Sequence, residues 1–432
     1  MKSIIKYPSK KDWTKLLERP AFNYDELMTS VENILIEVKN NGDEALKKFS
    51  KEFDGVSIEN FQISEKEIDD AKSKINIELK NAINLAKENI ERFHSLQRDP
   101  VISCEPVTGV RVWQKSTPIE KVGLYIPGGS APLISTVLML GIPAVIASCE
   151  DIVLCTPPDS EGNINPAILY SANLLGISKI FKIGGAQAIA AMAYGTESVP
   201  AVYKIFGPGN QYVTAAKLKV SLENIAIDMP AGPSELAVMA DEYANPSFIA
   251  SDLLSQAEHG EDSQVILVSE SVKLIEKVQL EIVKQLADLP RRQIAEKAME
   301  NSSFILMKSE DEIMEFLNQY APEHLIIATE NNKKIAEKVQ NAGSVFLGDF
   351  SPESAGDYAS GTNHTLPTNG NTRAFSGVNL SSFMKKISFQ EINPVGIKNI
   401  GNAIELLAEA ENLQAHKNAI TLRLDYIKNE GL

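Results

Sequence analysis

The sequence is poor in cysteine and in basic charge, and each shortage excludes a class of protein. Three cysteines, Cys104, Cys149 and Cys155, occur in 432 residues, and none has a CxxC or other metal-ligand spacing. We interpret them as reduced structural thiols, since disulfide frameworks are typical of small secreted chains. Acidic residues outnumber basic ones, 57 to 42, and the net charge of −15 argues against a nucleic-acid partner and against an anionic membrane surface.

Long apolar segments are also scarce. The N-terminal residues MKSIIKYPSKKDW contain no apolar core of signal-peptide length, which favours a cytoplasmic protein. The stretch from Gly123 to Cys149 carries no charge, but Pro127, Pro132 and Pro143 interrupt it. We therefore predict a turn, a short buried helix and a buried strand (AVIASC) there, and no membrane span.

Both common nucleotide-binding fingerprints, GxGxxG and GxxxxGK[ST], are missing. In their place stand three Gly-rich segments, PGGS at 127–130, IGGAQA at 183–188 and FGPGNQ at 206–211. Each segment can bring backbone amides close to a phosphate or a ring, and each can equally form a simple tight turn. The glycines alone leave both interpretations open.

Apolar strand-like segments that alternate with helical ones dominate the chain from about residue 121. KVGLYI, DIVLC, KIFKIG and NIAIDM predict strands, with helices such as AQAIAAMAYG between them. A second series, QVILVS, SSFILM, HLIIAT and SVFLG, is separated by charged helical segments. This alternation is typical of mostly parallel, doubly wound sheets, so we predict an α/β fold with two domains.

Helical patterns flank these two series. Ser64 and Glu67 predict a capping box that opens one long amphipathic helix reaching Phe93, with His94 as a dipole partner or surface residue at its end. The tail from about residue 381 is mainly helical, and its apolar residues require a partner surface.

Two pairs of side chains are candidates for chemistry. Asn245 and Pro246 predict the start of a helix that places Gln256 and His259 on one face. Such a pair can bind a metal ion or a polar ligand, although a histidine at a helix end also caps carbonyl groups. In YAPEHL, Glu323 and His324 suit proton transfer near neutral pH, but adjacent residues entering a strand point to opposite sides.

Taken together, these segments resemble the histidinol dehydrogenases, which catalyse the last step of histidine biosynthesis. The resemblance begins with Ile227-Asp228, Ala231 to Glu235 and Glu258-His259. It continues through VGLYIPGGSAP, IGGAQAIAAMAYGTESVP, IFGPGNQYV, APEHL, ESAGDYASGTNHTLPT and AEAENLQAHKNAITLR, and so spans nearly the whole chain. It implies oxidation of L-histidinol to L-histidine through bound L-histidinal, with reduction of two NAD+.

The resemblance also implies roles for individual residues. Glu323 and His324 are the implied catalytic pair, and Tyr125, Gln187 and Asn210 the implied NAD+ contacts. The implied substrate contacts are Ser234, Gln256, His259, His324, Asp357, Glu411 and His416. The implied ligands of one Zn2+ per subunit are Gln256, His259, Asp357 and His416, a nitrogen and oxygen set that also tolerates cobalt or manganese. His364 stays outside this set and is expected to order its loop.

The architecture implied by the resemblance is aldehyde-dehydrogenase-like, with two Rossmann-like domains and small N-terminal and C-terminal helical extensions. Residues 1–25 form the first extension, and residues 26–120 with 236–380 form a discontinuous α/β domain that carries the metal and catalytic residues. Residues 121–235 are an inserted NAD+-binding α/β domain, and residues 381–432 a helical tail. In a homodimer this tail reaches across the interface, so that Glu411 and His416 complete the neighbour's site.

Three other functions fit part of the pattern. A zinc hydrolase with Glu323 as base leaves the Gly-rich segments without a role. A dehydrogenase with a cysteine thiohemiacetal needs an activated thiol, and no cysteine has a histidine or arginine beside it in the sequence. A catalytically silent relative, whose zinc only stabilises a dimer, would not need Glu323 and His324.

Overall fold

The computed structural model describes residues 3–20, 24–128, 132–230 and 232–431. Gly129 and Ser130 of PGGS and Ala231 of the family-like segment lie outside the described residues. The chain divides into two compact units, the first made of residues 1–97 and 119–383 and the second of residues 98–118 and 384–432.

The described strands and helices, in chain order, have the following bounds. The strands are β1 (Ile5–Lys6), β2 (Ile102–Val107), β3 (Val110–Pro118), β4 (Lys121–Tyr125), β5 (Asp151–Thr156), β6 (Lys179–Lys182), β7 (Lys204–Phe206), β8 (Ala226–Ile227), β9 (Glu235–Ala240), β10 (Gln264–Ser269), β11 (Ser303–Leu306), β12 (His324–Ala328), β13 (Ser344–Leu347) and β14 (Met384–Ile392). The α-helices are α1 (Lys10–Leu16), α2 (Tyr24–Phe49), α3 (Glu65–Lys74), α4 (Ile77–Ser95), α5 (Ile134–Ala147), α6 (Pro166–Leu174), α7 (Gly185–Tyr194), α8 (Gln211–Ser221), α9 (Pro246–Ala257), α10 (Val272–Leu286), α11 (Arg292–Glu300), α12 (Glu310–Tyr320), α13 (Asn332–Ala336), α14 (Glu353–Tyr358), α15 (Pro394–Ala410) and α16 (Gln414–Glu430).

A parallel sheet in the first unit has the order β1-β11-β10-β9-β12-β13. Strand β9 lies inside it, and its alternate side chains serve opposite faces. Leu236 and Val238 join the core beneath α9, α10 and α11, whereas Ala237 and Met239 join the core that contains Trp13 of α1. Helices therefore cover both faces, which explains why the strands are apolar at nearly every position.

A second parallel sheet in the first unit has the order β6-β5-β4-β7-β8. One of its faces packs on α7 and α8, and α2 packs on these two helices in turn. Helices α3 and α4 pack on α6 and α5. The prediction of an α/β fold with mostly parallel sheets is confirmed. The domain boundaries stay a prediction, although α2, α3 and α4 pack on helices α5 to α8, which accompany this sheet.

Helix α5 replaces the strand that AVIASC was expected to form, so that expectation was wrong. Pro143 lies within α5, where its missing N–H leaves the carbonyl of Met139 without its helical donor. The side-chain amide of Asn363 donates to that carbonyl at 2.6 Å, so the helix continues through the proline. Nearly every position of α5 is buried, and such an apolar run lacks the period that separates helix from strand. None of the described helices is long and apolar enough to cross a membrane.

The predicted long helix after Ser64 is in fact two helices, α3 and α4. The capping box of Ser64 and Glu67 opens α3 as expected, but Ile75 has extended backbone and Asn76 caps a new helix. This break turns Phe93 outward, to 43% exposure. His94 lies at the end of α4 as predicted but is fully buried, where its Nδ1 lies 3.0 Å from Gln97 Oε1.

The second unit joins a three-stranded antiparallel sheet, in the order β14-β3-β2, to a pair of packed helices, α15 and α16. The helices agree with the prediction for the tail, whereas β14 was not anticipated. Gly401 of α15 brings the two helices close, since a Cβ there would meet Leu424 at 3.0 Å. Several large apolar side chains of this unit are exposed in the single chain, among them Leu406, Leu407, Leu422 and Tyr426.

Candidate active site

A pocket of about 520 Å³ lies in the first unit, between the carboxyl-side loops of β4 and β7 and residues around β9, α9, β12 and α14. Its lining brings together eight of the residues that the resemblance singled out, namely Tyr125, Asn210, Ser234, Gln256, His259, Glu323, His324 and Asp357. Pockets beyond strand ends are the usual ligand sites of open α/β sheets. The pocket is therefore the candidate active site.

Glu323 and His324 occupy the point where α12 gives way to β12. Ala321 ends α12 in the left-handed conformation, and Glu323 precedes the first strand residue, so the opposite-side limit on neighbours within a strand does not apply. Both side chains are nearly fully buried, and His324 Nδ1 lies 3.7 Å from Glu323 Oε2. The pair can act on one bound molecule.

The His324 ring has a defined polar environment. Its Nδ1 lies 3.4 Å from the carbonyl oxygen of Glu235, which can only accept a hydrogen bond. This contact favours the tautomer in which Nδ1 carries the proton of the neutral ring and Nε2 keeps its lone pair. Carboxyl oxygens of Glu353 and Asp357 lie 3.8 Å from Nδ1 and Nε2, too far for a hydrogen bond.

Burial sets the charge state of the pair. Desolvation lowers the pKa of His324 to about 3, so the ring is neutral near pH 7. Desolvation raises the pKa of Glu323 well above its usual value, against the hydrogen bond from the Glu235 N–H, which lowers it. A neutral imidazole beside a carboxyl group that readily holds a proton is suited to general acid and base work.

A cluster of potential metal ligands lies beside this pair. One ligand atom each of His259, Glu353 and Asp357 falls within 4.8 Å of the others. Gln256 lies three residues before His259, and its amide is oriented so that the nitrogen donates to the Glu353 carboxylate and the oxygen accepts from the Glu235 N–H at 3.3 Å. The same N–H donates to Glu323 Oε2 at 2.9 Å. An imidazole and two carboxylates are ligand types that zinc accepts, so the residues present fit a zinc-type ion.

On the opposite side the pocket is lined by a turn after β7. Gly207 has φ 131°, and a Cβ there would meet the carbonyl oxygen of Tyr125 at 2.1 Å, so only glycine fits. The buried side chains of Lys217 and Asp228 form an ion pair, and Lys217 donates to the Gly207 carbonyl at 2.8 Å while the Gly207 N–H donates to Asp228 at 2.8 Å. This turn presents Asn210, which caps α8, to the pocket.

Tyr125 joins this turn to the IGGAQA segment. Its hydroxyl accepts a hydrogen bond from the N–H of Gly185, the first residue of α7, at 3.1 Å. Burial raises the pKa of Tyr125 to about 12, so the hydroxyl stays protonated and can donate to a ligand. Gln187 is buried two residues further on and is not among the lining residues of the described pocket.

The structure also places four other residues that bear on the site. Glu411 and His416 belong to the second unit, where both are exposed in the single chain. Glu353 was not singled out, although it stands one helical turn before Asp357, a spacing that places two carboxylates on one face of a helix. His364 lines the pocket, with Nδ1 3.0 Å from the Asp357 carbonyl and Nε2 3.2 Å from Thr136 Oγ1.

The cysteines lie apart from this chemistry. All three belong to the described residues as free thiols, and none lines the pocket. Burial raises the pKa of Cys149 to about 12, and that of the buried Cys155 is raised further, so neither thiol ionises near neutral pH. The described pocket therefore contains no thiol that could form a thiohemiacetal with a bound aldehyde.

Parallel sheets covered by helices, with a buried Glu-His pair next to metal-type ligands, are the features of an α/β enzyme. The family description of histidinol dehydrogenase matches residues 17–424. Histidinol dehydrogenase from Bacteroides thetaiotaomicron is 61% identical over 99% of this chain and 100% of its own, and that of Escherichia coli K12 is 51% identical over 96% of each. The crystal structure of histidinol dehydrogenase from Elizabethkingia anophelis is 52% identical, with a TM-score of 0.96 over 98% of each chain.

The chain belongs to the histidinol dehydrogenase family.

Proposed function

We propose that this enzyme oxidises L-histidinol to L-histidine through bound L-histidinal, with reduction of two NAD+, and depends on zinc. The observation that carries the proposal is the meeting, in one pocket, of the Glu323-His324 pair, the ligand cluster around His259, and Tyr125 and Asn210. The pocket thereby has groups for proton transfer, for metal-assisted binding and for cofactor contact. When bound, zinc would hold the substrate by its imidazole and amino nitrogens, and NAD+ would accept a hydride in each half-reaction.

His324 handles the proton of the first half-reaction. Its Nε2 takes the proton from the hydroxyl group of histidinol as the carbon gives up a hydride, which leaves the aldehyde. The ring is suited to this step because it is neutral and its Nδ1 proton faces the Glu235 carbonyl. Ser234 and Asp357, which line the same pocket, orient the substrate.

Glu323 handles water in the second half-reaction. Its carboxylate takes a proton from the water that adds to the aldehyde, and the resulting hydrate loses the second hydride to give the carboxylate product. Glu323 is buried, which limits the access of bulk water to the reacting carbon. Gln256, His259, Asp357 and the partner subunit's His416 would hold the zinc, Gln187 would contact NAD+ with Tyr125 and Asn210, and Glu411 would face the substrate ammonium group.

The first test follows the absorbance of NADH after L-histidinol and NAD+ are added to zinc-loaded protein, with chelator-treated protein as the control. We expect two NADH for each histidinol, loss of the signal with the metal, and its return with zinc. Well-folded, zinc-loaded protein that forms no NADH would contradict the proposal and favour the zinc hydrolase, for which amide and ester substrates would then be screened.

Glu323→Gln tests the assignment of the two half-reactions. Because the amide cannot take a proton from water, oxidation of added histidinal should fall by about 100-fold or more, and oxidation of histidinol to the aldehyde by much less. Single-turnover kinetics with each substrate measure this difference. Glu353→Gln is the comparison variant, since it removes a second buried carboxylate that belongs to the potential metal ligands, and it should impair both half-reactions alike. Equal losses in both half-reactions for Glu323→Gln would exclude the role in water activation.

A further inference from the structure

The backbone of Glu235 contacts both members of the Glu323-His324 pair. Its N–H donates to Glu323 Oε2 at 2.9 Å, and its carbonyl oxygen lies 3.4 Å from His324 Nδ1. Both groups belong to the first residue of β9, which pairs with β12 in parallel. The position of this single peptide segment therefore fixes where the carboxylate lies and which ring nitrogen of His324 carries the proton.

The side chain of Glu235 is anchored by Arg19. The guanidinium donates from Nε to Oε1 at 2.6 Å and from Nη2 to Oε2 at 3.0 Å, the two-pronged geometry that holds a carboxylate most rigidly. Oε1 also accepts from the backbone N–H of Asn369 at 2.7 Å. The side chains of Arg19 and Glu235 are only 10% and 2% exposed, so solvent does not loosen the pair.

Arg19 also holds the other chain segment that leads to the pair. Its Nη2 donates to the carbonyl oxygen of Tyr320, the last residue of α12, and its guanidinium lies 4.1 Å from the centre of the Tyr320 ring. The Tyr320 hydroxyl in turn donates to Gln264 Oε1 at 2.8 Å. One guanidinium thus connects the start of β9 with the end of α12, and Glu323 lies three residues beyond that end.

The energetics of buried charges favour a positional role for this contact. A buried ion pair is often no more stabilising than apolar side chains of the same volume, because both charges lose their hydration. What the pair provides is one defined geometry. Arg19 of the N-terminal segment thereby fixes Glu235, and Glu235 in turn contacts the two side chains assigned to proton transfer.

We infer that Arg19 and Glu235 are positioning residues for proton transfer in this enzyme: their buried ion pair fixes the Glu235 peptide groups that hold Glu323 and set the tautomer of His324. The inference rests on the proposed function for the roles of Glu323 and His324. The tautomer itself is a property of the resting protein, so it can be measured without any substrate.

The test combines Arg19→Lys with the double variant Arg19→Met/Glu235→Gln, which removes both buried charges together. Arg373→Met is the matched control, since Arg373 donates to the carbonyl of Gln319, next to Tyr320, while its side chain is exposed. The ring nitrogens of the chain's five histidines are labelled with 15N, and His324 is assigned by its loss in His324→Gln. The turnover number and the KM for NAD+ are measured in parallel.

In the wild type and in Arg373→Met we expect His324 to show the Nδ1–H tautomer alone. In the double variant the Nε2–H form should appear beside it, and the turnover number should fall about 10-fold to 100-fold in both half-reactions. The KM for NAD+ should stay within about 2-fold, because Tyr125 ends β4 and Asn210 lies in the turn after β7, both on the side of the other sheet. Arg19→Lys keeps the charge without the two-pronged geometry. Its tautomer populations and its turnover number should lie between those of the wild type and those of the double variant.

An unchanged tautomer and turnover number in a folded double variant would overturn the inference. If circular dichroism shows that the double variant does not fold, Arg19→Lys decides by the same two measurements. Wild-type protein that forms no NADH from histidinol would contradict the proposed function, whereas the tautomer measurement would still decide on the positioning role.

Discussion

At the scale of single residues, the pocket concentrates acidic side chains that lose their hydration on folding. Burial raises the pKa of Asp357 and that of Asp252 to about 7, and the pKa of Glu353 is raised well above its usual value, mainly by desolvation and also by Asp357, Glu323 and Asp252. A cation bound among these groups would lower the energy of their ionised forms. The cluster therefore favours a positively charged occupant.

Asp252 is outside the proposed ligand set, although it lies one turn before Gln256 on α9, and it allows this electrostatic cost to be measured without removing a ligand. Its folded pKa of about 7 lies above the ordinary value of 3.8, so its contribution to stability is fully present below 3.8 and is lost as the pH rises through 7. Asp252→Asn, which resembles the protonated acid, should raise the free energy of unfolding by about 1–3 kcal/mol at pH 8 and by less at pH 5.

Urea unfolding of the metal-free protein at both pH values measures this gain. The exposed carboxylate of Asp349 provides the control, and Asp349→Asn should change little at either pH. A gain for Asp252→Asn that is equal at pH 5 and pH 8 would show that ionisation of Asp252 is not its cause.

The sequence predicted single residues unequally. Gln256 and His259 were recognisable as a pair because they lie three residues apart, but the expected helix ends at Ala257, so His259 follows the end of α9 and does not share a helical face with Gln256. The sequence predicted no role for Glu235, although it lies in the family-like segment. Its partner Arg19 lies in a different part of the chain, and no local pattern connects the two residues. Contacts of that kind depend on the folded sheet.

At the scale of elements, helix α5 depends on a side chain from outside it. The Asn363 amide replaces the hydrogen bond that Pro143 removes, and Asn363 Oδ1 accepts from the N–H of Thr365 at 3.0 Å. Asn363→Ala should destabilise the protein by about 1–3 kcal/mol, because the Met139 carbonyl is left buried without a donor. In that background Pro143→Ala should recover about 1 kcal/mol, since it returns the helical N–H.

A double-mutant cycle on these two positions, measured by urea unfolding, determines the coupling. If the effects of Asn363→Ala and Pro143→Ala simply add, the amide does not substitute for the missing helical bond.

Elements were predicted well where their period was clear. The strands β10 to β13 are separated by charged helices, and so their apolar runs were recognisable as strands. The buried run of α5 has no polar face, so its sequence lacks a helical period. Pro143 was interpreted as the end of a helix, because the Asn363 amide that replaces its missing hydrogen bond lies far along the chain. The break between α3 and α4 depends on the extended backbone of Ile75, a residue that fits the apolar face of one continuous helix equally well.

At the scale of the whole molecule, we propose that a second subunit completes the site. His416 and Glu411 belong to the second unit, whose exposed apolar side chains, such as Leu406, Leu407 and Tyr426, are suited to a contact with another chain. If the partner's His416 is a metal ligand, neither His259→Ala nor His416→Ala should be active alone. Mixed dimers contain one site with both histidines, so exchange of equal amounts should restore about a quarter of the wild-type activity.

Native mass spectrometry verifies the exchange, and NADH formation from histidinol measures the recovery. The double variant His259→Ala/His416→Ala, mixed with His259→Ala, is the control that should stay inactive. A verified mixed dimer without activity would contradict a site shared between subunits.

The position of strand β1 has a consequence for folding of the chain during its synthesis on the ribosome. Ile5 pairs with Ile305, so the first strand waits for a partner that is synthesised about 300 residues later. At about 5–20 residues per second that wait is about 15–60 s. During this time Trp13 and Arg19 have neither the sheet core nor Glu235 with Tyr320 in their final arrangement. The segment that anchors the Glu323-His324 pair is thus made first and placed late, and chaperone protection during synthesis would matter most for these early residues.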